Sequence, residues 1–367
     1  MKKIALMVSN LCTLGGTERV TANLSKDLSQ YFDCTIITQW CNGEYAYDID
    51  DKVKVFNLYN KQKRLRYIVW DAVKRIREYI LKNKIEIIIA VGRNNGIIPL
   101  LVKLVTPVKL IYCEHNSVVS YKFYKESLKN KLHRKLLQTM LYHIPDYIVT
   151  LTEKDLAYYK NTSMPCCTIY NAIDDKLLKQ EHEYDVNSKA IITVGRIDYQ
   201  KGYEYLIEVA KKVFAKHPDW HWDIYGNESL NLKYSNILKN KIREEDLNGN
   251  VKFHGDCRNI YDIYHQYSFL VMTSRYEGFG MVLIEAKANG LPTLSFDIEA
   301  GPSDIIRNAI DGYLIPPFDI DKMANKICEL IEDKERRVLF SKNSRDNLDK
   351  FSPKVIVKKW IDIINYI

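Results

Sequence analysis

Apolar residues along the chain gather into short runs rich in Val, Ile, Phe and Tyr, at 4–9, 34–38, 85–91, 108–113 and 147–151, and again at 190–194, 220–225, 268–272 and 292–296. Their length and β-branched content mark them as strands. Between most of them the period becomes helical. In one such stretch Ile68, Val69, Ala72, Val73, Ile76 and Ile80 form an apolar face while Lys74, Arg75 and Arg77 point outward. Strand and helix alternating in this way imply βαβ units with parallel sheets, and the pattern occurs twice. The expected fold class is therefore α/β, with two doubly wound domains.

The least regular stretch, 162–188, carries Pro165, the turn-like Asn171-Ala172-Ile173-Asp174-Asp175 and a charged segment over 176–185. It separates an expected domain over 1–170 from a second over 171–350. Ser352-Pro353 then supplies a helix start signal, followed at helical spacing by Val355, Val357, Trp360, Ile361, Ile363 and Ile364. Residues 351–367 are read as a C-terminal helix able to cross back to the first domain.

Composition narrows the class. With 46% hydrophobic and 27% charged residues among 367, the chain is neither disordered nor collagen-like. The net charge of +8 belongs to the first half, where residues 1–170 hold 26 Lys and Arg against 15 Asp and Glu. Such a bias draws a protein toward anionic membranes, phosphorylated substrates or nucleic acid. Residues 60–84 and 121–142 are the most basic stretches. The second mixes Lys122, Lys125, Lys129, Lys131, Arg134 and Lys135 with Tyr121, Phe123, Tyr124, Leu128, Leu132, Leu136 and Leu137. It reads as an amphipathic helix able to lie on an anionic membrane surface, at about 1 kcal/mol per nearby Lys or Arg. The same period also fits a core-facing helix with a solvated side. No recognition motif accompanies the charge, so nucleic acid is not an expected partner.

The eight cysteines include no C-x-x-C pair, and reduced thiols in the cytosol are expected. The five apolar residues before Ser9 are too few for a secretory core, and no apolar run is long enough to span a bilayer. A cytoplasmic protein follows, soluble or peripheral on the inner face of the cell membrane.

Ligands of doubly wound folds bind beyond the carboxyl ends of the strands. After 4–9, Leu14-Gly15-Gly16-Thr17-Glu18-Arg19 opens a helix. Paired glycines admit a close ligand and the helix N-terminus favours an anion, although Gly-Gly before a helix also simply forms a turn. The pattern is not G-x-G-x-x-G, which weakens a dinucleotide reading. After 190–194 comes Gly195-Arg196-Ile197-Asp198-Tyr199-Gln200-Lys201-Gly202, whose Arg and Lys can both turn toward one polyanion or stand in a solvated turn. After 268–272, Thr273-Ser274-Arg275-Tyr276-Glu277-Gly278-Phe279-Gly280 leads into an apolar helix, whose first N–H groups, from Gly280 through Met281 to Val282, are free to meet a phosphate. Glu277 in the loop and Glu285 inside the helix are acceptor-only carboxylates at two depths, suited to hydroxyls on the two rings flanking a diphosphate. A Glu early in a helix also simply offsets the dipole.

Together, Gly15-Gly16-Thr17-Glu18-Arg19, Gly195-Arg196 to Lys201-Gly202, Glu277-Gly278-Phe279-Gly280 with Glu285, and Gly301-Pro302-Ser303-Asp304 to Asp311-Gly312 resemble the retaining glycosyltransferases of family four. That family has the GT-B fold, two facing Rossmann-like domains, and E-x7-E is its signature. The resemblance covers most of the chain and is densest in the C-terminal half. It implies Arg196 and Lys201 on the donor diphosphate, Glu285 on the nucleotide ribose and Glu277 on the transferred sugar. Phe279, Gly280, Met281 and Val282 would line the donor, and Gly15 and Gly16 would close the site from the other domain. Cys113-Glu114-His115-Asn116 resembles the family's histidine position, which puts His115 near the reacting sugar. Arg258-Asn259-Ile260 aligns with the loop that meets the base.

Departure of a nucleoside diphosphate builds charge that preorganised cations and N–H groups stabilise. No metal or other cofactor is then required. Asp48 and Asp50 form an Asp-x-Asp, but in a connection of the first half away from the donor motifs, and are read as a solvated loop. The expected activity is retaining, metal-independent hexosyl transfer from a nucleotide sugar, UDP-linked, to a glycan or lipid-linked oligosaccharide acceptor in surface polysaccharide synthesis. A nucleotide-sugar epimerase of the same fold and a catalytically silent sugar-binding subunit are the alternatives. Intact Arg196, Lys201, Glu277 and Glu285 argue against the silent subunit.

Overall fold

The computed structural model describes residues 1–13, 15–63, 65–92, 97–118, 120–123, 127–179, 183–257 and 259–367. It divides into one unit of Met1–Ala172 with Pro353–Ile367 and another of Ile173–Ser352. Each boundary falls two residues beyond the one expected from sequence.

The first unit runs β1 (Lys3–Asn10), α1 (Gly16–Leu28), β2 (Asp33–Trp40), β3 (Lys54–Tyr59), α2 (Leu65–Asn83), β4 (Ile87–Val91), α3 (Ile98–Leu104), β5 (Lys109–Glu114), α4 (Leu128–Leu141), β6 (Tyr147–Thr150), α5 (Glu153–Leu156) and β7 (Cys166–Thr168). Its sheet is parallel with strand order β3-β2-β1-β4-β5-β6-β7. Ile4–Val8 and Ile87–Val91 are buried throughout, as strands covered on both faces must be. On one face Ile68, Ala72, Val73, Ile76 and Ile80 of α2 pack with α3, Leu137, Met140 and Leu141 against the sheet. The strand order reverses between β1 and β4, so the loop into α1 lies at a topological switch point.

The second unit runs α6 (Asp175–Lys179), β8 (Ala190–Val194), α7 (Tyr203–Phe214), β9 (His221–Tyr225), α8 (Leu232–Glu244), β10 (Val251–Gly255), β11 (Phe269–Met272), α9 (Met281–Ala288), β12 (Thr293–Phe296), α10 (Pro302–Ile305), β13 (Gly312–Ile315), α11 (Ile320–Glu332) and α12 (Lys334–Ser344). Its parallel order is β10-β9-β8-β11-β12-β13. Here the reversal lies between β8 and β11. The loops that leave those two strands are 195–202 and 273–280, the two richest motifs of the sequence.

The chain then returns as α13 (Pro353–Tyr366) to the first unit. Ile356, Val357, Trp360, Ile363 and Ile364 are buried, and the Lys2 ammonium donates to the Ile364 carbonyl at 2.8 Å. Among the described residues no helix is long and apolar enough to cross a membrane.

One expectation is corrected. Cys12 and Cys41 form a disulfide, with Cα atoms 6.0 Å apart, rather than two reduced thiols. The reason is register: β1 and β2 pair Asn10 with Trp40, so the residues just past both strand ends are neighbours. The other six cysteines are free.

Candidate functional site

In the second unit the two motif loops lie side by side. Lys201 ends a 3-10 turn, Tyr199–Lys201, and Gly202 follows at φ +64, a left-handed conformation. A Cβ on Gly202 would sit 2.4 Å from the Thr273 carbonyl oxygen, so glycine is what lets the loops touch. The Arg275 N–H donates to the Gln200 carbonyl at 2.8 Å, and the Gln200 side-chain amide donates to the Tyr276 carbonyl at 3.1 Å.

This zipper brings the predicted residues together. Lys201 Nζ lies 2.7 Å from Glu277 Oε1, and the Ser274 hydroxyl donates to the same oxygen at 2.6 Å. Glu277 Oε2 accepts only a long 3.5 Å hydrogen bond from Gln200. The Gln200 carbonyl oxygen Oε1 accepts from the Arg196 guanidinium at 3.2 Å, and Arg196 also meets Asp198 at 3.3 Å. Arg196 is exposed while Lys201 and Glu277 are largely buried, so one cation faces solvent and the other is held by a carboxylate. Sequence assigned Lys201 and Glu277 to different parts of a ligand; the structure pairs them.

Gly280 caps α9 at φ +94. Its carbonyl takes the Leu283 N–H at 2.9 Å, while the N–H groups of Met281 and Val282 stand in the first helical turn, where no intrahelical partner exists. Both residues are partly exposed, and Phe279 before them is buried. Glu285, one turn further in, is buried and accepts from the Tyr264 hydroxyl at 3.2 Å. Asn259 is exposed and Ile260 begins the turn Ile260–Asp262 that leads to Tyr264; Arg258 lies outside the described residues.

The first unit holds the remaining predicted residues. Asn10 Oδ1 accepts from the Cys12 and Thr13 N–H groups, and Glu18 Oε1 accepts from the Asn10 amide and the Thr13 hydroxyl. A Cβ on Gly15 would stand 2.2 Å from Glu18 Oε2, whereas one on Gly16 would meet nothing within 4 Å. Glu18 therefore accounts for Gly15, and Gly16 borders open space; Leu14 lies outside the described residues. His115 follows β5, half-buried, and desolvation pushes its imidazole down to about 4, leaving it neutral at physiological pH. Asp50 Oδ1 accepts from the Lys52 N–H in a simple turn.

The basic stretch at 121–142 has one inward and one outward face. Leu141 is buried with Leu137 and Met140 packed beside it, while Leu128, Leu132 and Leu136 are 88%, 71% and 54% exposed. Spaced four apart, these form one ridge on α4. Lys131 and Lys135 on the helix and Lys122 before it are exposed. Tyr124 and Lys125 lie outside the described residues.

Sequence reading left Gln200, Ser274, Arg275 and Tyr264 without roles, although three of them stand inside the quoted motifs. Nothing in spacing distinguishes a loop residue that meets a ligand from one that holds the loop.

Comparison with known proteins agrees with this layout. The Glycosyltransferase Family 4 model matches residues 14–177 and the Glycosyl transferases group 1 model residues 174–347. The chain is 26% identical over 365 residues to an uncharacterized glycosyltransferase of Haemophilus influenzae, covering 99% of this chain and 100% of that one. It is 27% identical over 378 residues to the amylovoran biosynthesis glycosyltransferase AmsD of Erwinia amylovora, covering all of both. Among solved structures, Anabaena HepE in complex with UDP and glucose has a TM-score of 0.81 at 16% identity, again over all of both chains. The likeness shows the GT-B fold.

Proposed function

The chain belongs to the GT-B glycosyltransferases related to family four, and on that premise we propose that it transfers a hexose from a UDP-sugar to a lipid-linked glycan with retention of configuration and without a metal. The observation that carries this is the convergence of Lys201, Ser274 and Gln200 on Glu277 at the β8/β11 switch point of the second unit. The crystallised HepE complex with UDP and glucose supports a uridine donor, and the amylovoran role of AmsD supports a polysaccharide product.

In this reading the bond between the anomeric carbon and the β-phosphate oxygen breaks, and its electron pair leaves with the diphosphate. Lys201, Arg196 and the N–H groups of Met281 and Val282 stabilise that charge. Each such preorganised donor is worth about 3–4 kcal/mol in the transition state. The acceptor hydroxyl oxygen bonds to the anomeric carbon from the same face, and its proton passes to the departing phosphate oxygen. Glu277 presents Oε2, its less satisfied oxygen, to sugar hydroxyls rather than acting as a nucleophile. Glu285, steadied by Tyr264, takes the ribose, and Asn259 and Ile260 border the base.

The first unit receives the acceptor in this proposal. The α4 ridge and its lysines complement an anionic leaflet in both apolarity and charge, which fits a peripheral enzyme on the cytoplasmic face. The test is calorimetry with UDP and GDP, followed by a donor panel with linkage analysis of the product. Micromolar UDP binding and α-linked product from an α-linked donor support the proposal. Absence of any transfer with UDP-, GDP- or other nucleotide sugars overturns it, and interconversion of the free donor to its epimer identifies an epimerase instead.

A further inference from the structure

Resting on the glycosyl-transfer reading, we infer that Arg275 is a positioning residue: it pins the turn bearing Gln200 and Lys201 to the loop bearing Glu277. Arg275 is 5% exposed. Its guanidinium lies between two aromatic rings, with centroids 3.8 Å away at Tyr199 and 4.5 Å away at Tyr205, both inside the range of a cation–π contact. One guanidinium nitrogen donates to the Tyr199 carbonyl at 2.6 Å, and another pairs with Glu204 in the first turn of α7. Glu204 in turn accepts from the Tyr234 hydroxyl. Every one of these side-chain partners belongs to residues 199–205 or to the residue that supports them, and none is Lys201 or Glu277.

The geometry gives Arg275 two anchors two residues away from Glu277. Its backbone N–H holds the Gln200 carbonyl, and its side chain holds the Tyr199 carbonyl and both flanking rings. Apart from the Lys201–Glu277 pair that it positions and the long Gln200 bond to Glu277, the other links between the loops are a 3.2 Å bond from the Thr273 hydroxyl to the Lys201 carbonyl and the Gln200 amide on the Tyr276 carbonyl. Without the guanidinium the 199–201 turn loses its clamp on the Tyr199 carbonyl and both rings, and the Lys201 ammonium is held less closely. A forked planar donor between two rings is a role lysine does not reproduce.

A double-mutant cycle tests this. Arg275→Gln should weaken UDP binding about tenfold and lower kcat for transfer about a hundredfold, with Arg275→Lys intermediate. In a Lys201→Ala background, where UDP affinity is the readout, Arg275→Gln should weaken UDP binding no further, because the residue it acts through is gone. A purely structural role would instead lower the melting temperature and give losses that add to those of Lys201→Ala. Additive losses, or wild-type UDP affinity and kcat in Arg275→Gln, overturn the inference. Arg275→Lys carries the same cycle if Arg275→Gln does not accumulate as folded protein. The wild-type protein separates the two levels: if it binds no nucleotide and transfers no sugar, the functional reading fails, whereas an active wild type with additive variants removes only the role of Arg275.

Discussion

Lys201 Nζ and Glu277 Oε1 stand 2.7 Å apart, with the lysine side chain 14% and the glutamate 8% exposed. On the proposed function, the cation assigned to the diphosphate is thus held by the carboxylate assigned to the sugar. The pair keeps a buried charge from standing alone, and removing either partner leaves the other uncompensated at a cost of order 3–5 kcal/mol. If the proposed function holds, donor binding exchanges one anion for another on Lys201 and releases Glu277 for hydroxyls.

That exchange predicts opposite effects for the two partners. Glu277→Gln frees the ammonium while keeping the amide-sized side chain, so UDP should bind several-fold tighter while transfer falls about a hundredfold. Lys201→Ala should weaken UDP and abolish transfer together. Calorimetry with UDP and steady-state rates on the same preparations decide it; weaker UDP binding in Glu277→Gln removes the competition.

On the proposed function, Tyr264 bears on nucleotide binding rather than on chemistry. Its hydroxyl donates to Glu285 Oε2 at 3.2 Å and its ring is fully buried. Tyr264→Phe deletes one hydrogen bond to a charged group, worth about 1.5–3 kcal/mol, and retains the packing. The donor KM and UDP dissociation constant should rise at least tenfold with kcat within about twofold. A fall in kcat at unchanged KM counts against Glu285 as the ribose partner.

How much of this was legible beforehand follows a physical rule. The nine strands read from apolar runs are the interior ones, whereas β3, β7, β10 and β13, which gave no such signal, are the four edge strands of the two sheets. An edge strand has one neighbour, and polar residues are tolerated there: Lys54 and Asn57 break the apolar run of β3, and Cys166–Thr168 is three residues long. The motif residues were legible because glycines and charges after strand ends are constrained by the fold itself. The Lys201–Glu277 pair and the Cys12–Cys41 bond were not, since both depend on which loops lie side by side.

His115 makes stability depend on pH. Burial pushes its imidazole from 6.5 down to about 4, so between those values the unfolded chain binds the proton more readily than the folded protein. The contribution is fully present above pH 6.5 and is lost as the pH falls toward 4. Urea unfolding across that window should therefore show stability rising with pH, and His115→Gln should flatten the slope by up to one proton's worth. An unchanged slope in the variant assigns the dependence to other groups.

The leucine ridge of α4 predicts how the protein meets a membrane. Leu128, Leu132 and Leu136 become less exposed along the helix, 88%, 71% and 54%, so the N-terminal end stands furthest from the body of the unit. Ser127 caps that end by accepting from the Asn130 N–H. On the proposed membrane association, the projecting end is the part that enters a leaflet, with Lys131 and Lys135 left at the headgroups. Fully burying a leucine is worth about 1.5–3 kcal/mol, so replacing Leu128 and Leu132 by Asn should weaken binding to vesicles containing anionic lipid at least tenfold. Melting should not change, because neither side chain contributes to the core. Raising salt should weaken the wild type through its lysines, and it should weaken the Asn variant in proportion. Equal vesicle affinity of variant and wild type at low salt would leave only a solvated surface on α4, with the leucines playing no part in docking.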